Sequence, residues 1–138
     1  MSKKVKDVSI SISNRKARFE YELLEVFTAG IQLQGTEIKS LRVGNANLAE
    51  AYCYVQQSEV WITGMYIAEY QYGSYMNHEP KRLRKLLLNK KEINKISSAL
   101  QNVGITLVPL KLYISDKGWA KIEIALAKGK KLHDKRED

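Results

Sequence analysis

Residues 105–127 read ITLVPLKLYISDKGWAKIEIALA, and this stretch decides the fold class. Two apolar runs, ITLVPLKLYI and WAKIEIALA, flank SDKG, in which Asp116 and Gly118 are turn formers. In the second run Ile122, Ile124 and Leu126 share one face and Lys121 and Glu123 the other, the period of a half-buried strand. Pro109 shifts the phase of the first run and predicts an edge or a bulge there. The pair reads as an antiparallel hairpin.

Working outward, AYCYV and EVWITGMYI, joined by the polar QQSE, read as a second hairpin within residues 47–70. Phe19, Tyr21 and Leu23 alternate with Arg18, Glu20 and Glu22, which predicts a strand from Arg18 onward. The phase slips at Leu23 and Leu24, a bulge signal; TAG at 28–30 reads as a turn, and IQLQG resumes the alternation. A short helix is predicted near 36–43, with Thr36 as cap, Glu37 in the first turn and Gly44 at the end. Its Ile38 and Leu41 share a face, leaving Lys39, Ser40 and Arg42 exposed. A longer helix is predicted near 90–103. Asn89 and Glu92 form a capping box there, Ile93, Ile96, Leu100 and Val103 line one face, and Gly104 ends it.

About six strands without βαβ rhythm predict a mainly β chain, closed into an antiparallel barrel for which the oligonucleotide-binding type is one candidate. Residues 1–13 are expected to be flexible, 14–128 to form the barrel domain, and 129–138, GKKLHDKRED, to begin a basic tail.

A chain of 138 residues suffices for one self-supporting domain. Its 23 Lys and Arg against 15 Asp and Glu give a net charge of +8, which favours a polyanionic partner. Cys53 is the sole cysteine, so no intrachain disulfide can form. The N-terminus lacks a signal-like apolar core, and no stretch approaches the roughly 18 apolar residues of a membrane span. A soluble, cytoplasmic protein with no membrane partner is expected.

Catalytic material is poor. His78 and His133 are the only histidines, and NHEP lacks the second histidine that a helical zinc site requires. No phosphate-binding loop or nucleophile elbow appears. Cys53 lies inside a strand pattern and reads as a core filler, and Glu20, Glu22 and Glu25 read as a solvated strand face. The expectation is a non-enzyme with no catalytic residue, cofactor or metal.

Cations, by contrast, gather. KRLRKLLLNKKEINK, residues 81–95, holds seven Lys or Arg against one acid, a density that phosphate oxygens relieve. NRKAR at 14–18, the exposed side of the short helix, and the tail add further clusters. Tyr66, Tyr70, Tyr72 and Tyr75 precede the densest run. Tyr66 is expected in the core, whereas Tyr72 and Tyr75, flanking Gly73 in an irregular loop, are candidates for base stacking.

NRKAR, AGIQLQGTEIKSLR, NLAEAY, NHEPKRLRKLLLNKKEI, TLVPLKLYI and ALAKGKKLHDKRED together resemble the SsrA-binding protein family (small protein B, SmpB), in family order over nearly the whole chain from Asn14. The resemblance implies an oligonucleotide-binding-type barrel with flanking helices. It also implies an adaptor that binds the tRNA-like domain of transfer-messenger RNA, supports its alanylation and delivers it to stalled ribosomes. Implied partners are that RNA, the ribosome near its decoding centre and, through the RNA, alanyl-tRNA synthetase and elongation factor Tu.

Carried over by motif, the RNA-facing residues are Asn14, Arg15, Lys16, Arg18, Glu37, Lys39, Ser40, Arg42, Arg84, Lys85, Leu88 and Lys121. Glu37 can instead orient its neighbours, and Leu88 can fill the core. The ribosome-facing tail comprises Gly129, Lys130, Lys131, His133, Asp134, Lys135 and Arg136. Thr28 stands where many family members carry an acid, and the family usually continues past DKRED with a basic tail. A form ending there is expected to bind transfer-messenger RNA yet support tagging poorly. Two other classes remain open from the residues: a structural ribosomal protein with a similar barrel and, more distantly, a metal-dependent hydrolase.

Overall fold

The computed structural model describes residues 11–130. Nine strands and three helices follow in order: β1 Ser11–Ser13, α1 Arg15–Glu20, β2 Tyr21–Ile31, α2 Gly35–Arg42, β3 Ala46–Asn47, β4 Tyr52–Gln56, β5 Glu59–Thr63, β6 Tyr66–Ile67, β7 Arg84–Leu87, α3 Lys90–Ala99, β8 Ile105–Ile114 and β9 Ala120–Gly129. A 3-10 turn occupies Ser74–Met76. The chain is mainly β, as the hairpin at 105–127 requires.

Seven strands form one antiparallel sheet in the order β1-β8-β9-β2-β7-β5-β4, and β3 pairs with β6 apart from it. The expected barrel is not closed: β1 and β4 are edges, and no ladder among the described residues joins β4 to β8, although the two lie close. A cleft of about 410 Å³, lined by residues that include Cys53, Val55, Leu100 and Leu107, lies along this seam. Ser97 of α3, with Leu100 and Gln101 just after it, also lines this cleft.

Phe27, Ala29, Ile31, Val60, Ile62, Leu86, Leu107, Leu112, Ile122 and Ile124 point into the curl of the sheet and bury together with Leu41, Leu48, Met65 and Ile96. A second, smaller cluster lies on the outer face, where Ala17 of α1 packs on Val108, Leu110, Ala125 and Ala127. This explains the run ALA in β9: its outward residues turn from charged to alanine where α1 covers them, and the small side chains let the helix approach.

The two phase slips are real bulges, between Leu23 and Glu25 and between Pro109 and Lys111. The Asn89 box also forms, with the Glu92 N–H donating to Asn89 Oδ1 at 2.8 Å and the Asn89 N–H to Glu92 Oε1 at 3.1 Å.

Several expectations are corrected. The segment from Arg18 starts as helix, because the Asn14 amide both accepts from the Ala17 N–H and donates to the Pro109 carbonyl, fixing a turn that strand periodicity conceals. Residues 28–30 are not a turn; they lie within the long β2, which pairs with β9 as far as Gly30 and there also meets β7. The helix near 90–103 ends at Ala99, and Val103 is fully exposed beside Gly104, whose φ of +89° turns the chain into β8. Ser11–Ser13, placed in a flexible segment, pair with β8.

Gly64 has φ +78°, and a Cβ there would collide with the backbone carbonyl of Glu50. Gly64→Ala is expected to destabilise the fold by more than ~1 kcal/mol, read as a lower midpoint in thermal unfolding.

Candidate nucleic-acid interface

Glu37, in the first turn of α2, is completely buried and collects donors from three directions. Its Oε1 accepts from the Gln34 N–H at 2.7 Å and from Arg82 Nη2 at 2.7 Å. Its Oε2 accepts from Arg82 Nε at 3.1 Å and Arg84 Nε at 2.8 Å. Burial alone would raise the carboxyl pKa, but the hydrogen bonds from Arg82 and the Gln34 N–H, with the Arg84 charge, outweigh it and hold Glu37 below the ordinary range. Burial lowers the Arg84 pKa, partly offset by Glu37. Arg84 also donates to the carbonyls of Met65 at 2.8 Å and Pro80 at 3.0 Å, so one ion pair ties α2, β7 and the chain around β6 together.

That node supports a loop. Asn77 clamps Tyr70, accepting from its N–H and donating to its carbonyl, both at 2.8 Å. His78 is buried, with Nε2 donating to the Ile67 carbonyl at 2.8 Å and Nδ1 bonded to the Thr36 hydroxyl at 2.8 Å. A Cβ at Gly73 would come within 2.5 Å of Asn77 Nδ2. On this frame Tyr70 meets Tyr72 edge-on at 5.5 Å, and Lys39 of α2 lies 5.7 Å from the Tyr70 ring centre. Tyr72 and Tyr75 are 75% and 88% exposed, so two aromatic rings are held in water by a buried polar scaffold. Lys39 and Arg42 of α2 are likewise exposed.

The outer face of the sheet adds a row. Leu87 faces Gly30, Gly30 faces Lys121, and Lys121 faces Tyr113, strand by strand from β7 to β8. Leu87 is 45% exposed, and Gly30 leaves the surface flat between it and Lys121. Thr28 stands directly opposite Glu123, so a carboxylate is present one strand away from that threonine.

A separate cationic group lies at the other end of β2. Arg15, Lys16 and Arg18 are exposed on α1, and the chain leaves β9 beside them. Gly129 pairs with Tyr21, the Lys130 N–H donates to the Glu20 carbonyl at 2.9 Å, and Lys130 Nζ reaches the Arg18 carbonyl at 3.4 Å. From this end α1 lies back over the sheet, with Asn14, just before Arg15, bonded to the Pro109 carbonyl.

A family model described as SmpB protein matches residues 11–138. The chain belongs to the SmpB family. It is 56% identical over 133 residues to an SsrA-binding protein of Phocaeicola vulgatus, covering 96% of this chain and 89% of that protein. It is 56% identical over 128 residues to the SsrA-binding protein of Allorhizobium ampelinum, covering 93% and 81%. Among solved structures it is similar to a chain described under "tmRNA-SmpB: a journey to the center of the bacterial ribosome", with a TM-score of 0.77 and 43% identity over 94% of this chain and 90% of that one.

In this SmpB-family chain the expected contact residues divide into two sets. Arg15, Lys16, Arg18, Lys39, Arg42, Tyr72 and Tyr75 are exposed, and Lys85 and Lys121 are partly so. Asn14, Glu37, Ser40 and Arg84 are buried with their polar groups engaged, Ser40 donating to the Ala68 carbonyl at 2.6 Å. They position the surface from beneath. Ser40, expected to be exposed, is thus interior, and Tyr66, expected in the core, is 39% exposed. Leu88 packs against the core, and it is Leu87 that faces outward. Leu87, Asn77 and Arg82 were not singled out in the sequence; strand alternation through KLLL was the one signal for Leu87. Gly129, expected to begin the tail, is the last residue of β9. Lys131, His133, Asp134, Lys135 and Arg136 lie outside the described residues.

Of the groups weighed for catalysis, His78 is held by Thr36 and the Ile67 carbonyl. Cys53 is buried, and burial pushes its thiol pKa far up, away from a nucleophilic thiolate. Among the described residues no three His, Cys, Asp or Glu converge, and no helix is long and apolar enough to cross a membrane.

Proposed function

We propose that this chain is the protein adaptor of trans-translation: it binds the tRNA-like domain of transfer-messenger RNA, supports its alanylation, and accompanies it into stalled ribosomes in the cytoplasm. The observation that carries the reading is the pair of exposed rings, Tyr72 and Tyr75, on a buried polar frame beside Lys39 in an SmpB-family chain. An adaptor must hold one RNA while meeting another, and the cations of α1 with Lys130 form a second group beside those of α2. The tyrosine loop, α2 and the row from Leu87 to Lys121 are assigned to the tRNA-like domain. Arg15, Lys16, Arg18 and Lys130 are assigned to ribosomal RNA, continuing into residues 131–136. In this reading residues 14–128 form the RNA-binding body and 129–138 begin the ribosome-facing tail. Alanyl-tRNA synthetase and elongation factor Tu are met through the bound RNA. The curled, unclosed sheet fits a partly open barrel of oligonucleotide-binding type.

The test is a comparison of the isolated tRNA-like domain with an unrelated tRNA at equal salt. Preference for the former, with affinity falling steeply as salt rises, is the expected result. Equal binding to both overturns the assignment. Replacing Arg15, Lys16 and Arg18 together by glutamine is expected to weaken ribosome association. The salt dependence there should flatten by roughly 0.7–0.9 per lost phosphate contact, with affinity for the tRNA-like domain retained.

A further inference from the structure

The outer face of the sheet carries aromatic side chains that the proposed interface does not use. Tyr54 on β4 stands directly opposite Trp61 on β5, and Trp61 directly opposite Lys85 on β7. The alternate positions on these strands, Val60, Ile62 and Leu86, are fully buried, so this second set faces away from the core. Tyr52 lies on the same face, 58% exposed, its ring 6.4 Å from that of Tyr54. Nothing in the core requires rings at these positions.

We infer that Tyr54 and Trp61, flanked by Lys85, form a stacking shelf for unpaired RNA bases, adjoining the surface assigned to the folded tRNA-like domain. Three observations favour RNA as the occupant. Trp61 Nε1 already donates to the Gln56 carbonyl at 3.3 Å, so the indole is left with its ring face to offer, and any base can lie on a ring face. Lys85 is next to the indole and is held by Glu59 at 3.5 Å, with both side chains partly exposed, an arrangement that releases the cation readily to a phosphate. The chain as a whole carries +8, the charge that draws a polyanion.

The shelf is also continuous with the neighbouring row. Lys85 and Leu87 are successive outward residues of β7, and Leu87 leads by register through Gly30 to Lys121. A strand of RNA crossing the sheet would therefore meet a cation, Lys85 and then Lys121, on each side of the flat place at Gly30. The inference rests on the reading of this chain as an RNA binder and adds to it a second form of ligand.

The experiment uses the full chain with Trp119→Phe, which leaves Trp61 as the sole tryptophan. An oligouridine of about twelve nucleotides, too weakly self-stacked to fold, is titrated while Trp61 emission is followed. Saturable quenching is expected. Tyr54→Ser, a change on the solvent side of an edge strand, should weaken oligouridine binding roughly tenfold, and Tyr54→Phe should restore it. Lys85→Gln should weaken it and flatten its salt dependence. Absence of quenching, or equal affinity of the Tyr54→Ser and parent proteins, overturns the shelf. Loss of quenching with tRNA-like-domain binding intact refutes the shelf alone. Quenching by oligouridine without preference for the tRNA-like domain leaves the shelf standing and refutes the adaptor reading.

Discussion

Glu37→Ala is expected to cost about 3–5 kcal/mol of stability, because it strands the Arg84 guanidinium in the interior. Arg84 is 1% exposed and Glu37 fully buried, so neither can turn to water without opening the fold. Thermal unfolding should show a midpoint lower by roughly 10 °C or more. A double replacement, Glu37→Leu with Arg84→Met, should recover much of that loss, since two apolar side chains leave no uncompensated buried charge. If the double variant were as unstable as Glu37→Ala, the penalty would lie in lost geometry and not in the stranded charge.

The same residue sets an acid limit. The folded pKa of Glu37 lies below the ordinary carboxyl value of 4.5. A lowered carboxyl pKa contributes stability that is present above the unfolded value and is lost as pH falls through the folded one. Stability should therefore decline as pH drops below about 4.5, and Glu37→Gln should flatten that limb of the curve. The readout is the unfolding free energy in urea between neutral pH and the acid transition.

What the sequence disclosed is what neighbouring residues decide. The hairpin at 105–127, the box of Asn89 with Glu92, and the phase slips at Leu23 and Pro109 are local, and each appears in the structure. α1 is not local: it depends on a bond from Asn14 to Pro109, 95 residues away, and strand alternation overwrote it. Gly30 imitated a turn because a glycine inside a strand differs from one at a bend only by the partners beside it, here Lys121 and Leu87. The candidate site divides in the same way. Tyr72, Tyr75, Lys39 and Arg42 could be picked out by residue type and lie exposed. Arg84 looked like one more cation in a basic run because its counter-ion lies 47 residues upstream. Ladder closure is a property of the whole sheet, and no periodicity reveals that β4 remains an edge.

The effect on binding should be largest at the loop of residues 70–78. Stacking of a base on an aromatic ring contributes about 1–3 kcal/mol, so Tyr72→Ala with Tyr75→Ala should weaken binding to the tRNA-like domain by roughly 30-fold or more. Stability should hardly change, because both rings project into water. Asn77→Ala provides the complementary variant. It keeps both rings but removes the two bonds that fix the Tyr70 backbone. If the loop acts by holding its rings in place before the RNA arrives, this variant should lose affinity as well, by a smaller factor, and mainly in the association step. A double variant as tight as the parent, measured by filter binding at matched salt, would remove the loop from the interface. The Leu87, Gly30 and Lys121 row would then be left to hold the tRNA-like domain with α2 alone.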